Sequence, residues 1–274
     1  MTTYRPSPRP TFDGPALITR AGITRHVWGD TQAGEVADWI YASTDHIHCL
    51  VFGVGPTGSF RHSPEFRTIF GADEYLHVLQ GEMVLANPES GDVVHVPAGQ
   101  GASFGPNTWH HAYAHGGEPL RVLELFAPPP SAGTSGTHSR TRPYLNEADW
   151  RYHRDELRVT DGGCFNVHPG TDATLRYEAG VITGIEISTE HITAGWIDLS
   201  PGAISTTRKH GGDIILFALS GSTFVRARLG EQEVVAELGP EDAMYVPLGA
   251  SYDLRNVGAG RSRLIFGVAP SFLT

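Results

Sequence analysis

The sequence predicts an all-β chain: two tandem double-stranded β-helix (jelly-roll) barrels, with a linker and a short helix between them. Three observations predict it. Short β-type runs recur at regular spacing, with turn residues between them. The chain repeats itself in outline. Its 274 residues hold 33 Gly and 19 Pro, which suits two domains of many short strands better than a helical protein.

The first domain is expected over residues 1–130, with 1–20 as an extended tail. Strand patterns follow at 39–41, 48–54, 82–86, 92–96 and 121–126. Residues 128–138, rich in Pro, Ser, Gly and Thr, read as a linker. The best helix pattern covers 145–158, with Asn146 as cap and Asp149 in the third helical position. It falls in the connecting segment, 131–158. The second domain is expected over 159–274, with strands at 214–219, 223–229, 243–246 and 264–268.

The repeat shows in three places. Ser43-Thr44-Asp45-His46-Ile47 is echoed by Ser188-Thr189-Glu190-His191-Ile192. Val78-Leu79-Gln80-Gly81 is echoed by Ala218-Leu219-Ser220-Gly221, and Val96-Pro97-Ala98-Gly99 by Val246-Pro247-Leu248-Gly249.

A formal net charge of −10 argues against nucleic acid or an anionic membrane as partner. Two cysteines, Cys49 and Cys164, imply no disulfide framework. No apolar run approaches the ~20 residues that span a bilayer. The first ten residues are polar and proline-rich and lack the apolar stretch of a signal peptide, so the expected location is cytoplasmic. A homodimer is expected, because exposed sheet edges are usually covered.

Two stretches carry the chemistry. Glu74 stands seven residues before Gly81; Gly91 stands six before Pro97, Gly99 follows, and Trp109-His110-His111 comes soon after. A carboxylate on one strand and an imidazole on a later one suit a divalent metal. These spacings resemble the two motifs of the cupin superfamily, Gly-five-His-x-His-three or four-Glu-six-Gly and Gly-five-Pro-x-Gly-two-His-three-Asn. The His-x-His pair is reduced to Phe60-Arg61-His62, eleven residues separate His62 from Glu74, and the terminal Asn is Ala114. Two such domains in one chain make a bicupin.

The resemblance implies a metal site of His62, Glu74 and His110 in the first barrel. Similar His/Glu/His sets occur in cupin enzymes that have lost the first His of the pair, such as the 3-hydroxyanthranilate dioxygenases. His110 and His111 are adjacent, so only one can face a barrel interior. Glu74 and His77 also face opposite sides unless a bulge intervenes. His77 and His111 are the candidates for moving protons, and His77 is the alternative ligand if Glu74 is displaced. In the second half, Ile214 stands in the glutamate slot and Tyr252 in the histidine slot, which leaves that barrel expected to be metal-free.

The first expectation is an Fe(II)-dependent dioxygenase acting on a small phenolic or enolic substrate, by analogy with gentisate- and quercetin-type bicupins. The alternative is a non-oxidative lyase, isomerase or cyclase, with Zn, Mn, Ni or Co as Lewis acid. A non-enzymatic small-molecule-binding protein is the third reading.

Overall fold

A computed structural model describes residues 8–30, 34–56, 58–60, 68–87, 89–129, 139–141 and 163–273. The described secondary structure is β throughout, apart from one 3-10 turn at Arg20–Gly22. The helix expected over 145–158 lies outside the described residues, as does most of the linker.

The chain divides into two compact units. The first comprises Met1–Arg9, Arg25–Ile40 and Leu50–Pro169; the second comprises Pro10–Thr24, Tyr41–Cys49 and Gly170–Thr274. The sequence boundaries at 130 and 159 cut across this division. Strand pairing is the reason. Ala16–Ile18 pairs with Ala243–Val246, which draws part of the expected tail into the second unit. Asn166–His168 pairs with Gly101–Phe104 and stays with the first.

The large sheet of the first unit runs in the order Asn166–His168, Gly101–Phe104, Asp73–Gln80, Leu120–Ala127, His48–Val54, Gly34–Ser43 and Thr24–Asp30. A four-stranded sheet runs Ser59–Phe60, His111–His115, Glu82–Ala86 and Val93–Pro97. Thr68–Phe70 pairs with Ser139–Thr141. Asp73–Gln80 is buried over its first six residues, so both faces are covered and its apolar residues do not alternate. Leu76, Val78, Leu85, Val96, Ala102, Phe104, Ala112, Val122 and Phe126 belong to one continuous core.

The second unit repeats this plan. Its large sheet runs Ala16–Ile18, Ala243–Val246, Asp213–Ser220, Ser262–Ala269, Thr193–Leu199, Val181–Ser188 and Thr174–Glu178. Its small sheet runs Arg208–Lys209, Ser251–Arg255, Thr223–Leu229 and Gln232–Leu238.

Two of the three sequence echoes are structural equivalents. The Thr44 hydroxyl accepts from the amides of His46 and Ile47, and the Thr189 hydroxyl accepts from those of His191 and Ile192, so both form the same Thr-closed turn. Gly81 and Gly221 both sit at positive φ, 76° and 72°, where the chain leaves one sheet for the other.

The third echo is a mismatch. Phe104 lies opposite Glu74, and Val246 lies opposite Ile214, so Ala243–Val246 corresponds to Gly101–Phe104. Val93–Pro97 instead pairs with Glu82–Ala86, just as Gln232–Leu238 pairs with Thr223–Leu229. Val-Pro-x-Gly is turn chemistry, and the chain uses it at two different corners. The counterpart of the Gly249 corner is the corner at Asn107, which takes positive φ (65°, against 86° for Gly249). The Gly91-to-Gly99 motif match therefore sits one corner before the turn that delivers His110.

Candidate metal centre

Glu74 lies on Asp73–Gln80 between two phenylalanines, with Phe104 opposite on one neighbouring strand and Phe126 opposite on the other. Paired residues share a sheet face, so its carboxylate points the same way as two core aromatic rings. Glu124 lies opposite Leu76, two residues along that face. His110 precedes the strand His111–His115, and its ring centroid is 4.5 Å from that of Phe104. Donor atoms of Glu74, His110 and Glu124 lie within 4.8 Å of one another. All three residues are at most 5% exposed.

The imidazole is held in one tautomer. His110 Nδ1 lies 3.3 Å from the Thr108 carbonyl oxygen, which can only accept, so Nδ1 carries the hydrogen. The lone pair is then on Nε2, the atom 3.9 Å from Glu74 Oε2. Burial lowers the His110 pKa to about 4 and keeps the ring neutral. Burial also pushes Glu124 up to about 8, with the charge of Asp38 adding to the rise. Burial holds Glu74 well above the usual carboxylate range, helped by Glu124 and Asp73. Burial beside one another favours the protonated form of this carboxyl pair.

These residues fit a divalent metal. Glu74 Oε2 is buried without a hydrogen-bond partner, which costs free energy unless a cation or proton meets it. Two carboxylates and one neutral imidazole with its second nitrogen tied to a carbonyl are the donors and outer support that such ions use.

The site residues read from the sequence fall into three groups. Glu74 and His110 come together. His62 lies outside the described residues. His77 and His111 do not join the cluster. His77 sits opposite Gly101 and Leu123, on the face away from Glu74. His111 sits opposite Ala86, on the face away from core residues Ala112 and Leu85, with its ring edge-on to Trp109 and Tyr113. Glu124 was absent from the sequence expectation. Its one signal was parity: Leu120, Val122 and Phe126 share its face and are core, so an acid among them is a buried acid. Leu123 and Leu125 on the other face blurred that alternation.

Register gives the counterparts in the second unit. Phe126 opposite Glu74 matches Val268 opposite Ile214, so Phe266 matches Glu124. Ala112 opposite Leu85 matches Leu254 opposite Val225, so Tyr252 matches His110. Ile214 and Phe266 offer no donor. His210 Nδ1 donates to the Phe272 carbonyl at 2.6 Å, and its Nε2 meets the Tyr252 hydroxyl at 3.1 Å.

A family model described as a cupin domain matches residues 71–126, which contain all three residues of the cluster. No curated protein sequence matches the chain. Among solved structures, the Lactobacillus farciminis oxalate decarboxylase formate complex aligns with a TM-score of 0.63 and 12% identity, covering 98% of this chain and 89% of that one. Bacillus subtilis oxalate decarboxylase at pH 4.6 aligns at 0.64 and 12% identity, covering 94% of this chain and 76% of that one. Another structure of the Bacillus subtilis enzyme, described through its Mn(II) centers, aligns at 0.63 and 11% identity. Likeness at this identity is likeness of fold.

Proposed function

Because the chain is a bicupin of the cupin superfamily, with its cupin domain over residues 71–126, we propose that it is an enzyme dependent on one divalent metal held by Glu74, His110 and Glu124. The reaction class it fits best is non-oxidative: a lyase or isomerase acting on a small molecule. The observation that carries this is the buried three-donor cluster with an unpartnered Glu74 oxygen.

The Fe(II) dioxygenase expected from the sequence assumed two imidazoles and one carboxylate. The described cluster has one imidazole and two carboxylates, a harder donor set that favours Mn(II). The structural neighbours, decarboxylases including one described through Mn(II) centers, support the same choice.

A bound divalent ion supplies Lewis-acid polarisation of a substrate oxygen. The chain supplies the rest. The Thr108 carbonyl orients His110 so that Nε2 is the ligating atom. Glu74 and Glu124 would hold the ion, and burial favours their protonated form without it. Phe104 and Phe126 flank Glu74 and keep water from its carboxylate. Among the described residues, no helix is long and apolar enough to cross a membrane.

Elemental analysis of untagged protein, beside His110→Ala and Glu124→Ala, tests the reading. The expected result is about one manganese per wild-type chain, lost in both variants. Activity is expected to be equal with and without oxygen. Iron at that occupancy, with one O₂ consumed per turnover, would return the oxygenase. No metal after reconstitution would remove both.

A further inference from the structure

We propose that the first unit carries a second metal site, separate from the buried centre: His95, His115 and Glu82 on the outer face of its small sheet, suited to Zn(II). The proposal stands on cross-strand geometry and is independent of the metal reading above.

Strand register brings the three residues to one face. Glu82 lies opposite His115, and Val84 lies opposite Tyr113 on one side and His95 on the other. Paired residues share a face, and alternate residues along a strand return to it. His95, Glu82 and His115 therefore share the face away from core residues Met83, Leu85, Val96, Ala112 and Ala114. They stand on three adjacent strands, Val93–Pro97, Glu82–Ala86 and His111–His115. Val84 on the same face is fully buried, which gives the cluster an apolar floor.

The spacings suit one ion. His95 Nε2 lies 3.0 Å from Glu82 Oε2. A carboxylate accepts, so the hydrogen that joins them is on Nε2. Two ligand atoms on one tetrahedral zinc stand about 3.3 Å apart, so this pair is already spaced as ligands, with a hydrogen in place of the ion. Moving that hydrogen to Nδ1 through solvent frees the Nε2 lone pair. The ring centres of His95 and His115 are 5.5 Å apart. A zinc–nitrogen distance of about 2.0 Å puts each ring centre about 3.2 Å from the ion, so two imidazoles at a tetrahedral angle have centres about 5.2 Å apart.

The remaining step is a ring turn. The two rings meet edge to face at 74°, and among the described residues only the buried centre brings three donor atoms within 4.8 Å of one another. Rotation about an imidazole Cβ–Cγ bond turns the ring about an axis that passes near its centre. The nitrogens swing while the centres keep their separation, and that torsion is broad and soft. The side chains of His95 and Glu82 are 33% and 46% exposed, so an ion reaches them from solvent. Two imidazoles and one carboxylate suit borderline zinc better than the harder Mn(II), and water completes the shell. The bound ion joins three strands of one sheet and stabilises it by mass action.

Full-length protein dialysed against Zn(II), with uptake measured by elemental analysis, tests the proposal. Wild type is expected to take up one zinc more per chain than His95→Ala or His115→Ala. Glu82→Gln keeps an acceptor for His95 and removes the anionic ligand, so it tests the site without deleting a ring. It is expected to weaken this zinc by at least the roughly tenfold that loss even of an outer-shell partner costs. Glu124→Ala is expected to retain this zinc, and zinc should still raise its melting midpoint by about 2 °C or more. Uptake equal in wild type and the three surface variants overturns the proposal and leaves the buried centre standing. Failure of the buried centre shows differently: wild type takes up this zinc alone, lost in His115→Ala and kept in Glu124→Ala, and the proposal is upheld.

Discussion

Glu124 lies opposite Leu76, two residues along the same strand face from Glu74, so two carboxylates 50 positions apart in sequence meet on one ladder inside the first barrel. Neither has an arginine or lysine beside it among the buried residues described. The centre is stable with a proton or a cation and strained with neither. That condition generates most of the expected behaviour below.

Metal-free protein should lose stability as pH rises. The folded pKa of Glu124, about 8, lies above its unfolded value, so folding favours the protonated carboxyl. The stabilisation is complete below the unfolded carboxylate pKa and is lost as pH climbs toward 8. His110 acts in the opposite sense. Its folded pKa, about 4, lies below the ordinary imidazole value of 6.5, so its contribution is present above 6.5 and lost as pH falls toward 4. Between pH 6.5 and 8 only the carboxyl effect operates. Thermal melts of the metal-free form are expected to fall over that window by roughly 2 kcal/mol of stability. Saturating Mn(II) should abolish the slope, and a slope that persists with metal bound would contradict the assignment.

Glu124→Gln separates binding from stability. It keeps the shape and removes the titrating carboxyl, so metal-free protein is expected to become less sensitive to pH between 6.5 and 8. Manganese affinity should fall by more than the roughly 10–100-fold that loss of an outer-shell partner costs. Calorimetric titration with Mn(II), beside melts of the metal-free protein, measures both.

His77→Ala and His111→Ala should each retain one metal per chain, because both side chains face away from the donor cluster. Each is buried, at 5% and 2% exposure, so truncation is expected to cost about 1–3 kcal/mol of stability by loss of packing and polar contacts. Metal analysis after dialysis, paired with urea melts, checks this. Loss of metal in His77→Ala alone would revive a histidine-rich ligand set.

Gly81→Ala should destabilise the first barrel. Gly81 holds φ at 76°, and a Cβ there would come within 2.7 Å of the Pro119 carbonyl oxygen. A cost of about 1–3 kcal/mol follows from the strained backbone. A urea midpoint equal to wild type would show that the corner relaxes freely.

Much of this was legible locally. Thr44 and Thr189 announce the same turn twice, because a hydroxyl two and three residues before two amides caps them wherever it occurs. Glu74 was readable from its spacing to Gly81 and His110 from residue type, while the Gly91-to-Gly99 spacing belongs to an earlier corner. The separation of His77 from Glu74, and of His111 from His110, followed from strand parity alone.

Local sequence carries the all-β class, the twofold repeat and the faces of neighbouring side chains, and it singled out Glu74 and His110, because these depend on residues a few positions apart. The tertiary structure alone brings Glu124 into the cluster, makes Phe266 the counterpart of Glu124, and turns the chain toward His110 at Asn107 rather than at Gly99. It also placed Pro10–Thr24 and Tyr41–Cys49 in the second unit. Each of these is a matter of register between strands far apart in sequence. Register is set by the summed packing of both faces of a sheet, which no local window of the chain contains.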